Sequence, residues 1–239
     1  FPILKIRNCT SLRAADGDIF TAHTIEGIDM TFKVISEEAK TCQVGIGTYP
    51  ESAISKDTRG LITIPSEVNS NGVSYSITAI ADYAFVDCLD ITSVTIGNSV
   101  TTIKYETFQG CTSLTTVNIP NSVTEIESYA FEGCKNLTTV RIGSGIKEIG
   151  GDAFAYCEEL TDVYCFAEDV PDTDDDAFEG SYTEYATLHV PAGSLDAYKA
   201  KAPWSGFMEK VKITTPKVKL NKTEISRSEE RRVGKECRS

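Results

Sequence analysis

The residues of this chain whose type and spacing most invite chemistry are Cys88, Cys111, Cys134 and Cys157, each 23 positions from the next. A thiolate can be a metal ligand, half of a disulfide or a nucleophile, depending on what stands beside it. No pair shows the C-x2-C spacing of a metal site. The same interval separates Phe85, Phe108, Phe131 and Phe154, so it belongs to a repeat of the chain and not to a ligand set. A buried free Cys behaves as a small apolar filler. The spacing favours that reading over a disulfide between neighbouring units or a metal. Cys165 stands where other units carry Ile, which agrees with filler, and nothing in the sequence argues for pairing Cys9 with Cys42.

Other chemistry-bearing residues are few. The two histidines, His23 and His189, have no nearby Ser or Cys in a nucleophile setting. Gly143-Ser144-Gly145 carries no Lys and opens no helix, so it is not a phosphate loop. The acidic stretch Asp172-Thr173-Asp174-Asp175-Asp176 is the best candidate for a Ca²⁺ ligand set. It lacks the turn glycine and distal Glu of a calcium loop, and reads as a solvated loop. These residues point away from catalysis, and no cofactor or metal is expected.

The elements that position these residues follow from the repeat. Ile80, Ile103, Ile126 and Ile149 recur in step, as do Ile91, Leu114, Leu137 and Leu160, then Val94, Val117, Val140 and Val163. Leu89 falls two places early, with Ile91 in its slot. A fixed period in the twenties is the signature of a solenoid, whose equivalent positions stack into columns. Leu-Thr-x-Val-x-Ile has the period-two alternation of a strand, ended by Pro120 or by Gly97 and Gly143. A second short strand is centred on each recurrent Ile, and Ala84-Phe85 and its equivalents predict a tight helical turn. Between residues 18 and 46, alternating runs predict two or three antiparallel strands that cap the first coil. Thr187–Pro191 reads as the last strand. Ser194 to Ala202 reads as a helix with Ser194 as N-cap and Pro203 as its stop, and Trp204 and Phe207 pack on the final coil.

On the main strands one outward slot varies while its inward neighbours hardly change. Thr63, Thr95, Asn118, Arg141, Tyr164 and His189 occupy it in successive units. Stacking makes them one polar, chemically mixed column, for which a ligand strip and a plain solvated strand face are the two readings. Thr95, Asn118, Arg141, Tyr164 and His189 are the candidate ligand-binding residues. Beside them Glu125, Glu127 and Glu148 bring negative charge to the second strand, a pattern suited to a partner with basic or hydroxyl-rich patches.

Composition excludes several classes. The chain has 239 residues, 41% of them apolar, enough for one core with small flanking units. Its formal charge is −12. Residues 227–239, RSEERRVGKECRS, resemble an in-frame translation of a sequencing adapter and are set aside; without them 18 Lys+Arg face 32 Asp+Glu. Such a chain repels nucleic acid and anionic lipid. No stretch approaches the roughly 20 apolar residues of a membrane span. Phe1-Pro-Ile-Leu followed by Ser11-Leu-Arg-Ala-Ala15 reads either as the tail of a secretory signal or as an ordinary terminus.

The unit Leu114-Thr-Thr-Val-Asn-Ile-Pro-Asn-Ser-Val-Thr-Glu-Ile-Glu-Ser-Tyr-Ala-Phe-Glu-Gly-Cys134 resembles the BspA-type leucine-rich repeats of bacterial surface proteins. The likeness runs over roughly residues 18–213 and includes Val190-Pro-Ala-Gly-Ser-Leu-Asp-Ala-Tyr198 and Trp204. Val218-Lys-Leu-Asn-Lys-Thr-Glu-Ile225 is similar to the start of a group 2 bacterial immunoglobulin-like domain. The resemblance implies an exported, surface-associated bacterial module, in some cases adhesive to host matrix proteins or other bacteria, with no catalytic residues to carry over; a monomer that binds host or bacterial protein or glycan through the strand face is the expected role. The alternative is a structural spacer presenting another domain. The expected organisation is an N-terminal segment (1–17), an N-terminal β cap (18–58), a leucine-rich repeat solenoid (59–193) and a C-terminal cap (194–213). A linker with a truncated following domain (214–226) and the set-aside tail (227–239) complete it.

Overall fold

The computed structural model describes residues 15–213. The proposed signal remnant, the following domain and the adapter-like tail lie, except for residues 15–17, outside the described residues. The chain enters through β1 (Ile19–His23), β2 (Asp29–Ser36) and β3 (Thr41–Val44), then β4 (Gly60–Ile64), β5 (Glu67–Ser70) and β6 (Val73–Ile80). From there long and short strands alternate. These are β7 (Ile91–Ile96), β8 (Thr102–Ile103), β9 (Thr116–Ile119), β10 (Glu125–Ile126), β11 (Thr139–Ile142), β12 (Glu148–Ile149), β13 (Asp162–Cys165), β14 (Asp172–Thr173) and β15 (Thr187–Pro191). Helix α1 (Leu195–Ala200) and β16 (Glu209–Ile213) close the described chain.

The result is a β-solenoid. The long strands form one parallel sheet, β4-β7-β9-β11-β13-β15-β16, and the short ones continue the order β3-β6-β8-β10-β12-β14 in a second. The register is the 23-residue period itself: Val94 pairs with Val117, Val117 with Val140 and Val140 with Val163. Alternation sends Val117 and Ile119 inward with their equivalents, and Leu114 turns into the core just before the strand, all buried. Five rings fill the centre in a stack from Phe85 through Phe108, Phe131 and Phe154 to Phe178, with successive centroids 4.9, 5.1, 5.1 and 5.4 Å apart. A single coil cannot bury enough apolar surface to offset the entropy of ordering it, so the contacts between coils are what hold the chain folded. At the N-terminal end the antiparallel strands β1, β2 and β3 place Met30, Phe32 and Val34 into the same core.

Four features depart from the sequence reading. The Ala84-Phe85 segments form no helical turn. Each is a run of short hydrogen-bonded turns that carries left-handed residues, Tyr83 (φ 59°) and Asp87 (φ 54°) in one coil, Tyr129 (φ 61°) and Gly133 (φ 68°) in another. Left-handed ends stop any helix from propagating, and they free amides to reach the next coil. Phe85 N donates to Thr107 O at 2.8 Å, Phe108 N to Ala130 O at 2.7 Å and Phe131 N to Ala153 O at 2.7 Å, which makes a third ladder beside the two sheets. Thr187–Pro191 is not the last strand, because β16 pairs in parallel with β15. Asp172–Thr173, read as loop, is β14, paired with β12. Ser194 stands before α1 without a side-chain cap bond; its hydroxyl donates instead to Glu168 O, tying the helix to the loop beneath.

The cysteine column is core. Cys111, Cys134 and Cys157 donate through Sγ to Phe85 O, Phe108 O and Phe131 O at 3.1, 3.3 and 3.4 Å. Cys165 pairs in register with Ile142, and Cys42 is free and buried. Burial pushes the Cys157 thiol up to about 12 and holds Cys111 and Cys134 well above the ordinary thiol range. Unfolded thiols ionise near pH 8.5. The folded state therefore keeps its full advantage below that pH and loses it as pH rises toward 12. Native protein at pH 8 is expected to resist iodoacetamide at these thiols and to react only on unfolding; rapid native labelling of Cys134, read by mass spectrometry, would contradict the burial.

Candidate functional site

Register places the six outward side chains in a single line. Thr63 pairs with Thr95, Thr95 with Asn118, Asn118 with Arg141, Arg141 with Tyr164 and Tyr164 with His189. Thr95, Asn118 and Arg141 are exposed, while Tyr164 and His189 are half-buried. At the N-terminal end Thr63 is engaged by Glu26 through its hydroxyl. A second outward column runs alongside, Ser93, Thr116, Thr139, Asp162 and Thr187, because residues two apart on a strand share a face.

The upper half of the line is not a row of independent side chains. The Arg141 guanidinium carbon sits 4.0 Å from the Tyr164 ring centroid, and the His189 ring stacks on Tyr164 at 4.0 Å with planes 7° apart. Tyr164 is thus contacted by both its neighbours in the line. His189 is held in turn by Asp162, Nε2 to Oδ1 at 2.8 Å, and Asp162 Oδ2 accepts the Thr161 hydroxyl at 3.0 Å. Asp162 was missed in the sequence reading, although its place two residues before Tyr164 on an alternating strand puts it on the same face. The unit is a chain of contacts, Asp162 to His189 to Tyr164 to Arg141, in which the guanidinium and the Tyr164 hydroxyl have no hydrogen-bond partner among the described residues.

The acidic row belongs to the other sheet. Glu125 pairs with Glu148 and Glu148 with Asp172. It does not lie beside the strand column as the sequence suggested, since the two rows stand on separate sheets. Glu127 has a distinct role: it accepts Tyr105 N at 3.0 Å, and burial, helped by the nearby Asp82 charge, raises its carboxyl above the usual range. Asp172 also meets Lys201 at 3.4 Å. Among the described residues no group of three or more His, Cys, Asp or Glu is placed to hold a metal ion. A hollow of about 620 Å³ lies between Ser144–Lys147 and Phe166–Pro171, and neither histidine lines it. No described helix is long and apolar enough to cross a membrane.

The repeat and its geometry can now be set against known proteins. The model of the BspA type leucine rich repeat region matches in six copies over residues 78–198, half of the chain. The chain belongs to this family. Solved structures share the fold of this array. A leucine-rich repeat protein of T. pallidum superposes with a TM-score of 0.57 at 21% identity, over 81% of this chain and 78% of that one. The pneumococcal vaccine antigen PcpA superposes with a TM-score of 0.54 at 20% identity, over 76% of this chain and 52% of its own length. At these identities the likeness is one of fold. No curated protein matches the chain.

Proposed function

We propose that this BspA-type array is a non-catalytic interaction module of a bacterial surface or secreted protein. It engages a protein or glycan partner through Thr95, Asn118, Arg141, Tyr164 and His189. One observation carries the reading: the outward slot changes chemistry at nearly every rung while the inward residues beside it stay apolar and buried. The pneumococcal relative is described as a vaccine antigen, which fits an address outside the cell. Residues 18–58 and 194–213 serve as caps that keep the two ends of the stack from exposing their cores. The acidic balance of the chain argues against nucleic acid as the partner.

The test blocks the lower part of the line, where the side chains are exposed. Thr95→Trp with Asn118→Trp is expected to reduce capture of immobilised host and bacterial surface proteins or glycans at least about tenfold, the scale of losing one good interface contact. Thermal unfolding reports whether the fold survives. Undiminished capture by a folded variant sinks the strand-face reading and leaves the array as a spacer.

A further inference from the structure

On this strand-face reading, we propose that Arg141 is the specificity residue and that the partner it selects is an acidic polypeptide segment, whose Asp or Glu carboxylate it takes in a forked contact. Arg141 is exposed at the centre of the face, and among the described residues its guanidinium makes no hydrogen bond or ion pair. Its one contact that fixes direction is the ring of Tyr164. An arginine resting on a ring keeps its N–H edges free while losing rotational freedom, which is how a planar fork is readied for a planar carboxylate.

The surroundings favour an anion. The chain as a whole carries 35 Asp+Glu against 23 Lys+Arg. Yet the outward positions of β7, β9 and β11 are Ser93, Thr95, Thr116, Asn118, Thr139 and Arg141, with no carboxylate among them. Strands spaced by about 4.8 Å make this acid-free tract about 10 Å deep, with Arg141 on the edge that faces β13. On β13, next to the tract, Asp162 is already bonded to His189 and Thr161. Within the tract Asn118, Thr116 and Thr139 have no side-chain hydrogen bonds among the described residues, unlike Thr115 and Thr138, whose hydroxyls each donate to the preceding coil at 3.1 Å. Donors left unspent beside an unspent guanidinium suit the second oxygen of a carboxylate.

The stack also decides between protein and sugar. Sugars are commonly held by laying a ring face on an aromatic face. Tyr164, the aromatic residue of this line, already has Arg141 and His189 on its ring. What remains open is a charged fork among hydroxyl and amide donors, which reads a carboxylate on an extended chain.

The experiment follows the Arg141 Nε–Hε and Asn118 side-chain amide resonances of the intact protein during titration with a glutamate-rich peptide and with its glutamine counterpart. Saturable shifts with the glutamate peptide alone are expected. Arg141→Gln should abolish the response, and Arg141→Lys, which keeps the charge but loses the fork, should weaken it about tenfold. Equal shifts with both peptides, an unchanged response in Arg141→Gln, or shifts with a sulfated oligosaccharide and none with the glutamate peptide each overturn the proposal. Loss of partner capture in the Thr95/Asn118 variant together with an unchanged Arg141→Gln titration would retain the strand face and reject its acidic partner.

Discussion

Phe131→Ala is expected to destabilise the protein by about 3–5 kcal/mol, the range for emptying a fully buried aromatic site. Phe131 is completely buried and stacks on Phe108 and Phe154, each at 5.1 Å. Its loss removes two ring contacts worth about 0.5–1.5 kcal/mol apiece beyond their burial. Stability in a solenoid is close to a sum of units and nearest-neighbour interfaces, so a gap in the middle weakens the coupling between the two halves. Urea unfolding followed by far-UV circular dichroism should shift to lower midpoint and broaden. The chain has one tryptophan, Trp204, at the C-terminal end of the stack. Its fluorescence should then report a transition separate from the backbone signal. A wild-type midpoint with both signals coincident would show that the ring column contributes far less than its burial implies.

Trp204→Ala is expected to cost a similar amount, about 3–5 kcal/mol, but to act from the end. Trp204 is fully buried, meets Phe178 edge-on at 5.5 Å and Tyr198 edge-on at 5.4 Å, and donates from Nε1 to Thr173 Oγ1 at 3.2 Å. Removing it uncovers the last ring of the stack and leaves a buried hydroxyl without its donor. Hydrogen exchange is the measurement that separates the two variants. Amides of β13 to β16 should lose protection in Trp204→Ala while those of β7 to β9 keep it. Uniform loss along the whole array would mean that the coils unfold as one unit and that Trp204 is no local cap. Trp204→Phe keeps most of the apolar area and loses the hydrogen bond, and should fall between wild type and Ala.

The parts of this fold that sequence could reveal are those a period records. Phe85, Phe108, Phe131 and Phe154 recur at one interval, and one interval is enough to predict a column. The column from Thr95 to Tyr164 was legible for the same reason, since alternation and period together fix both face and rung; His189, 25 residues on, is placed by the alternation of its own strand. Features without a recurring residue type were not. Left-handed backbone keeps the 23-residue interval, at Tyr83, Glu106, Tyr129 and Asp152 and at Asp87, Gly110, Gly133 and Tyr156, but it falls on such mixed residue types that no one of them marks it. Strand β16 follows a helix and Pro203, outside the repeat, and takes its place only because β15 offers a free edge. Tyr49, Tyr83, Tyr105 and Tyr129 form an edge-on aromatic row with centroids 5.5–5.8 Å apart. Tyr105 stands three residues before its Phe where Tyr83 and Tyr129 stand two, so the row escapes a fixed-interval search. The stacking of Arg141 and His189 on Tyr164 depends on side-chain torsions across rungs, which no spacing encodes.

The unbroken register of β9, β11 and β13 has an evolutionary corollary. Excising or duplicating any stretch of 23 residues within that region leaves every inward side chain with company of its own kind. What changes is the distance between dissimilar outward groups, by about 4.8 Å for each unit gained or lost. In-frame recombination can therefore slide Arg141 toward Thr95 or away from it without re-inventing an interior, so the lineage can retune its contact surface by counting alone.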